Sequence, residues 1–138
     1  MEDEIACFAG PSHRLAGKRR VTVRHLEDEI WVIREQGSAT RRLIEGWLAA
    51  RGSKIGRSIE LHSPEAVKIL VAAGLGFSFM SVHGLSREFR EKRLKRIRMA
   101  GLSLKRPIYL VRHEQKHDSP VMEAFLSMIG GTWTPDKP

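Results

Sequence analysis

The sequence has one cysteine among 138 residues, which excludes a disulfide framework and a zinc site built from several cysteines. Long apolar runs are also missing, since no stretch approaches the roughly 18 residues that a membrane-spanning helix needs. The start, MEDE, is acidic and lacks the basic region and apolar run of an export signal. These absences predict a soluble protein of the reducing cytoplasm with no membrane partner.

Positive charge is unevenly distributed along the chain. Of the formal net charge of +8, residues 87–138 contribute +6 and residues 1–86 contribute +2. Most of this excess lies in a basic stripe of Arg87, Arg90, Lys92, Arg93, Lys95, Arg96, Arg98, Lys105 and Arg106. Such a stripe could bind nucleic-acid phosphates. We favour a solvated helix face and linker, because Glu88 and Glu91 are interleaved and only Phe89 could stack on a base.

Apolar periodicity predicts alternating strands and helices. Strands are expected at 4–9, 29–34, 57–61, 75–80 and 107–112, and helices at 38–51, 63–73, 82–91 and 119–129. This order favours βαβ units, hence an α/β fold with a mostly parallel sheet and helices on both faces. In such sheets ligands bind beyond the carboxyl ends of the strands.

One loop at such an end has residues that could bind a ligand. It consists of residues 34–41 (REQGSATR) and leads directly into a helix. A helix start exposes unpaired amides, Ser38 and Thr40 add hydroxyls, and Gly37 permits a tight turn. Arg41 stands where a capping box would place Glu or Gln, so we expect it to add positive charge. The loop therefore suits a carboxylate or another small anion. Alternatively, Ser38 is only a helix cap, with Thr40 and Arg41 facing water.

Other candidate sites are weak. His113 and His117 are four residues apart, but no third ligand is near in sequence, so we predict no metal and no cofactor. Cys7 falls in a buried strand and is interpreted as a small core residue. Trp31 and Phe77 are interpreted as packing residues. No catalytic motif is present, and we predict that the protein is not an enzyme.

The ordered set of segments resembles LysR-type transcriptional regulators. The matching pieces, in family order, are 8–16 (FAGPSHRLA), 21–26 (VTVRHL), 31–41 (WVIREQGSATR), 60–81 (from ELHSPEAVK to LGFSFMS) and 106–129 (from RPIYLV to FLSMI). The resemblance spans nearly the whole chain. Two departures are Ala39, where the family has the second Gly of GSGTR, and Arg14, where it commonly has Pro.

The resemblance implies a fold similar to type 2 periplasmic binding proteins, in which two α/β subdomains enclose a small effector. It predicts the complete second subdomain at 12–98. Residues 1–11 and 99–130 would form the crossover strands and the C-terminal part of an incomplete first subdomain, with a tail at 131–138. The winged helix-turn-helix is expected to lie before Met1, so DNA would be bound only through that absent domain.

The resemblance also implies residue roles. Ser38 and Thr40 match positions that contact effectors, backbone from Gly37 and Ala39 joins them, and Gln36 lies at the lip. The partners expected are a small anionic effector and a second copy, because the helix 38–51 and the strand from Arg57 match elements used for dimerisation. The predicted function is effector sensing that modulates DNA binding. The alternatives are a solute-binding protein of the same fold and a basic nucleic-acid-binding module.

Overall fold

The computed structural model describes residues 2–111 and 119–129. Within these ranges the elements are β1 (Glu2–Ala9), β2 (Trp31–Arg34), α1 (Ala39–Ala49), β3 (Ser58–Leu61), α2 (Pro64–Ala72), β4 (Phe77–Ser81), α3 (Val82–Arg90), β5 (Lys95–Ile97), β6 (Leu104–Pro107) and α4 (Pro120–Met128). The chain divides into two units, Met1–Ile108 and Tyr109–Pro138. The first unit holds the sheet with α1, α2 and α3, and the second holds α4.

Strands β2, β3 and β4 form the parallel part of the sheet. β2 pairs with β3 from Trp31 opposite Ser58 to Arg34 opposite Leu61, and with β4 at Trp31 opposite Phe77. Helices α1 and α2 make the crossovers that parallel neighbours require. The carboxyl ends of these strands therefore lie at one edge, which also carries the starts of α1, α2 and α3.

The remaining pairings are antiparallel, so the prediction of a mostly parallel sheet is wrong. The strand order is β3-β2-β4-β1-β5, with β6 also on β1, and every pairing of β1 is antiparallel. A helical crossover constrains strands to be parallel. β1 is instead followed by a long loop whose helical piece is the 3-10 turn Val23–Leu26. As a result, the start of β1 lies beside the carboxyl ends of β2 and β4.

Two apolar cores pack on opposite faces of this mixed sheet, as predicted. One core includes Trp31, Cys7 and Phe77 with α1, and the other includes Val32 and Phe8 with α2 and α3. Successive strand residues point to opposite faces, which explains the separation. Trp31 and Phe77 are 1% and 0% exposed, in agreement with their interpretation as packing residues.

The expected strand at 107–112 is wrong. The last strand, β6, pairs with the start of β1 and ends at Pro107, opposite Glu2. Proline has no amide hydrogen to donate to a ladder, so it suits the end of an edge strand. Residues 108–111 follow outside any strand.

Helix α4 is the described element of the second unit. It begins as predicted, with Ser119 Oγ accepting a hydrogen bond from the Met122 amide at 3.3 Å and Pro120 in the first turn. Its apolar side chains are exposed, with Val121 at 79% and Met128 at 85%.

Candidate functional site

The loop between β2 and α1 is a tight turn at the carboxyl edge of the parallel strands. The amide of Ser38 donates to the carbonyl of Glu35 at 3.2 Å, which closes the turn. Gly37 has φ of 90°, a conformation that costs little only for glycine. Gln36 and Gly37 are exposed, as is Ala39 at the start of α1. The turn thus presents this stretch of backbone at the surface.

Ser38 occupies the N-cap position of α1, but its side chain makes no capping hydrogen bond within the described residues. The first helical bond runs from the Arg42 amide to the Ser38 carbonyl at 3.0 Å. The amides of Ala39, Thr40 and Arg41 precede it and have no acceptor within the helix. Ser38 therefore has the position of a helix cap, as the alternative interpretation predicts. Its hydroxyl, however, does not make the hydrogen bond of a cap.

Arg41 does not supply the positive charge that the sequence suggested. Its guanidinium donates to Glu45 at 2.8 Å, to Glu60 at 2.6 Å and to the Arg34 carbonyl at 3.0 Å. The hydrogen bonds to Glu45 and Glu60 raise the pKa of Arg41. Arg42 is also engaged, since it donates to the Gly37 carbonyl at 2.8 Å. Both arginines stabilise the loop and the helix start.

Thr40 instead faces an arginine from the far end of the chain. Arg106 Nη1, on β6, donates to Thr40 Oγ1 at 3.2 Å, and Arg106 Nε donates to Asp3 Oδ2 at 2.8 Å. The second oxygen of Asp3 accepts a hydrogen bond from Ser81 Oγ at 2.5 Å. One network therefore joins the start of α1 to β1, β4 and β6.

The Asp3 side chain is buried, only 2% exposed. Burial raises the pKa of Asp3, but the hydrogen bonds from Ser81 and Arg106 outweigh it and hold the pKa below its usual 3.8. Asp3 is consequently ionised at neutral pH. Removing Arg106 would leave the buried Asp3 carboxylate without its charged partner, which is destabilising. The pair is thus a fixed part of this edge.

Asp3, Ser81 and Arg106 were not predicted as site residues. Arg106 was noted only as part of the basic stripe, and it is opposite Asp3 through the pairing of β6 with β1. No short spacing motif can link residues 103 positions apart. The one local signal was Ser81, which ends a predicted strand at the edge where ligands bind.

Five of the nine cations of the basic stripe pair with neighbouring acids among the described residues. Arg87 and Arg93 both pair with Glu91, Arg96 pairs with Glu4, Lys105 with Glu2, and Arg106 with Asp3. A protein that binds DNA through phosphate contacts needs cations available for them. For these five cations, the pairings agree with the solvated-face interpretation.

The other residues considered from the sequence are not part of this site as the structure describes it. Cys7 is fully buried, and burial raises its pKa well above the usual value, which fits a core residue. His113 and His117 lie outside the described residues. Among those described, no three His, Cys, Asp or Glu side chains gather closely enough to hold a metal ion. No helix in the same ranges combines the length and apolar character needed to cross a bilayer.

The fold is that of an α/β domain, and comparisons with known proteins give the family. The family model described as "LysR substrate binding domain" matches residues 1–133. The chain belongs to this family.

Curated relatives agree with this assignment. The chain is 35% identical over 129 residues to the RuBisCO operon transcriptional regulator of Allochromatium vinosum, covering 94% of this chain and 43% of that protein. It is 30% identical over 130 residues to the HTH-type transcriptional regulator CysL of Bacillus subtilis, again covering 94% and 43%. The chain thus spans less than half the length of these relatives.

Solved structures show the same fold. The regulatory domain of CcmR from Synechocystis, in complex with 2-PG, superposes with a TM-score of 0.82 at 29% identity, covering 94% of this chain and 62% of that one. The effector-binding domain of QuiR, in complex with shikimate, gives a TM-score of 0.72 at 20% identity, covering 91% and 59%. The predicted α/β fold similar to type 2 periplasmic binding proteins is confirmed.

Family membership confirms further predictions. LysR-type proteins are transcriptional regulators rather than enzymes, so the expectation of no catalytic activity is confirmed. They are cytoplasmic, as predicted for this chain. The effector-binding residues and the division into subdomains are not tested by these comparisons and stay predictions.

Proposed function

We propose that the chain is the effector-sensing part of a LysR-type regulator and binds a small anionic metabolite at Gln36, Gly37, Ser38, Ala39 and Thr40. The supporting observation is the open start of α1, where the Ser38 hydroxyl does not cap the helix and three amides have no helical acceptor. The partial positive charge of a helix start favours an anion there.

The electrostatics of the loop support an anion over a cation. No acidic residue lies in the first turn of α1. The nearest carboxylates are engaged, since Glu35 pairs with Arg34 and Glu60 pairs with Arg41. The CcmR regulatory domain, whose fold this chain shares, binds 2-PG. We therefore take 2-PG as the first probe for this chain.

Residues 12–98 are proposed to form the complete second subdomain, with 1–11 and 99–130 belonging to the crossovers and to part of the first. In the whole regulator the effector would lie between the subdomains. Closure of the subdomains around it would change the arrangement of the oligomer and thereby its affinity for DNA. DNA binding would be a property of the whole regulator, since this chain matches 43% of the length of its relatives.

Replacing Thr40 by valine tests this function. Thr40→Val keeps the shape of the side chain and removes its hydroxyl, so an anion loses one hydrogen bond. In a reporter assay of the intact regulator, we expect the effector concentration for half-maximal response to rise about tenfold, because a hydrogen bond to a charged group contributes about 1.5–3 kcal/mol. Lys54→Gln, a change in the loop before β3, is the control. An unchanged response in Thr40→Val would remove Thr40 from the site.

We also propose that the protein associates with a second copy. Large apolar side chains of α4 are exposed, including Phe125 at 50% and Met128 at 85%. Burial of such a side chain is favourable by about 1.5–3 kcal/mol, so we expect that another copy covers this face, the alternative being that the segment is mobile. Size-exclusion chromatography with light scattering should give a dimer or larger oligomer, and Phe125→Glu should shift it to monomer. A well-ordered monomer of the unaltered chain would contradict this proposal.

A further inference from the structure

Four arginines close to the loop differ in how much of each guanidinium is already used, and Arg42 donates through Nη1 to the Gly37 carbonyl at 2.8 Å. Arg34 forms a two-point pair with Glu35, through Nε and Nη2 at 2.7 and 2.8 Å. Arg41 donates to two carboxylates and a carbonyl. Arg106 meets one carboxylate oxygen through Nε alone, since the other oxygen of Asp3 is taken by Ser81. Among the described residues, Nη2 of Arg106 has no acceptor, and the Nη1–Nη2 edge is used only for the bond to Thr40.

The contact with Thr40 aims that edge at the proposed effector loop. Arg106 Nη1 donates to Thr40 Oγ1 at 3.2 Å, so the Thr40 hydroxyl acts as acceptor and keeps its own hydrogen to donate. An anion beside Thr40 would receive hydrogen bonds from both side chains. A guanidinium edge matches the two oxygens of a carboxylate or phosphate. The Arg106 side chain is 29% exposed, so a ligand can reach it.

Buried Asp3 and half-buried Ser81 hold the guanidinium in this orientation. Asp3 and Arg106 are directly opposite each other on neighbouring strands, and the Asp3 side chain is 2% exposed. Ser81, at the end of β4, fixes the carboxylate through a 2.5 Å hydrogen bond. A guanidinium oriented in advance loses less conformational freedom when it binds an anion.

We propose that Arg106 binds the anionic group of the effector, a carboxylate or phosphate, together with Thr40, and that Asp3 and Ser81 are positioning residues for its guanidinium. This inference rests on the proposed function, because it assigns to the same site the cation that Arg41 does not provide. It adds to the loop a residue from the C-terminal part of the sheet.

The test is a titration of the 138-residue chain followed by NMR of backbone amides. The probes are 2-PG, inorganic phosphate and acetate, so that the phosphate and carboxylate contributions are separated. The unaltered chain should show shifts at residues 37–41. In Arg106→Gln, we expect the dissociation constant to rise at least about tenfold, the loss of a charge-assisted hydrogen-bond pair.

Two further variants separate binding from folding. Arg106→Lys keeps the charge but lacks the two-donor edge, so it should bind 2-PG more weakly than the unaltered chain while remaining folded. Lys105→Gln removes the same charge from the neighbouring position, where the partner is Glu2. Because exposed pairs contribute little, this control should change the dissociation constant by less than about twofold.

The positioning role of Asp3 can be tested by whether Asp3→Asn strengthens or weakens anion binding. Asp3→Asn removes a negative charge close to Arg106, so charge alone would strengthen anion binding. If Asp3 orients the guanidinium, binding should instead weaken, and Ser81→Ala should weaken it by a smaller factor. Binding that is unchanged or stronger in Asp3→Asn would overturn the positioning role.

The outcomes separate this inference from the proposed function. If no probe shifts residues 37–41 in the unaltered chain at millimolar concentration, the proposed function itself fails. If the unaltered chain binds and both Arg106 variants bind equally well, only the role of Arg106 is overturned.

Discussion

Helices α1 and α2 both begin at a serine that follows a parallel strand, yet their first turns differ. In α2, Ser63 Oγ accepts a hydrogen bond from the Ala66 amide at 3.3 Å. Pro64 has no amide hydrogen to satisfy, and Glu65 places a carboxylate in the first turn. In α1, Ser38 makes no capping bond within the described residues, and the first turn has no acidic side chain.

This difference shows that a serine before a helix does not by itself identify a cap. At the start of α2, the Ser63 side chain accepts a hydrogen bond from a backbone amide of the first turn, so Ser63 stabilises the helix. The start of α1 is stabilised by Arg42 of the helix itself, which donates to the Gly37 carbonyl, and from outside by Arg106 on Thr40. An anion requires hydrogen-bond donors that have no partner within the helix, and the start of α1 has such donors.

The largest effect is expected from placing a carboxylate in the open turn. Ala39→Glu makes α1 resemble α2, and the interaction of the new charge with the helix dipole should raise the free energy of unfolding by about 0.3–1 kcal/mol. The same charge repels an anion, so the dissociation constant for 2-PG should rise at least about tenfold. Thermal unfolding and the NMR titration measure the two quantities.

Ala66→Glu is the matched control for that substitution. It adds a glutamate three residues after Ser63, in the first turn of α2, where it should complete a capping box. Stability should rise, and 2-PG binding should stay unchanged. Equal losses of binding in both variants would mean that overall charge, rather than the start of α1, determines affinity.

A smaller effect should separate the two serines. Ser63→Ala removes a capping hydrogen bond and should lower the free energy of unfolding by about 1 kcal/mol. Ser38→Ala removes no such bond and should change it by less than about 0.5 kcal/mol. Urea unfolding monitored by circular dichroism measures both. A loss in Ser38→Ala as large as that in Ser63→Ala would show that Ser38 is an ordinary cap in solution.

Much of the fold could be predicted from sequence because its signals are local. Ser63 with Pro64 predicts the start of α2, and the apolar spacing in α1 predicts its buried face, including Trp47. The direction of β1 could not be predicted, because strand direction depends on the connection rather than on the residues within the strand.

The candidate site divides in the same way. The exposed backbone and half-buried hydroxyls of residues 36–40 follow from a glycine turn entering a helix, and that pattern is visible in the sequence. The sequence does not show which arginine provides positive charge to the loop. Arg41 is four residues from Glu45, and the i to i+4 spacing on a helix allows that pair, but Glu60 reaches Arg41 only through the pairing of β3 with β2.

The sequence by itself determined the loop, because a glycine at positive φ and the unpaired amides of a helix start are properties of a short segment. Tertiary structure alone decided which arginine serves that loop. β6 pairs with the start of β1, which places Arg106 opposite Asp3 and within hydrogen-bonding distance of Thr40. Contacts between residues so distant in sequence are fixed by strand register, and register depends on how the whole sheet packs.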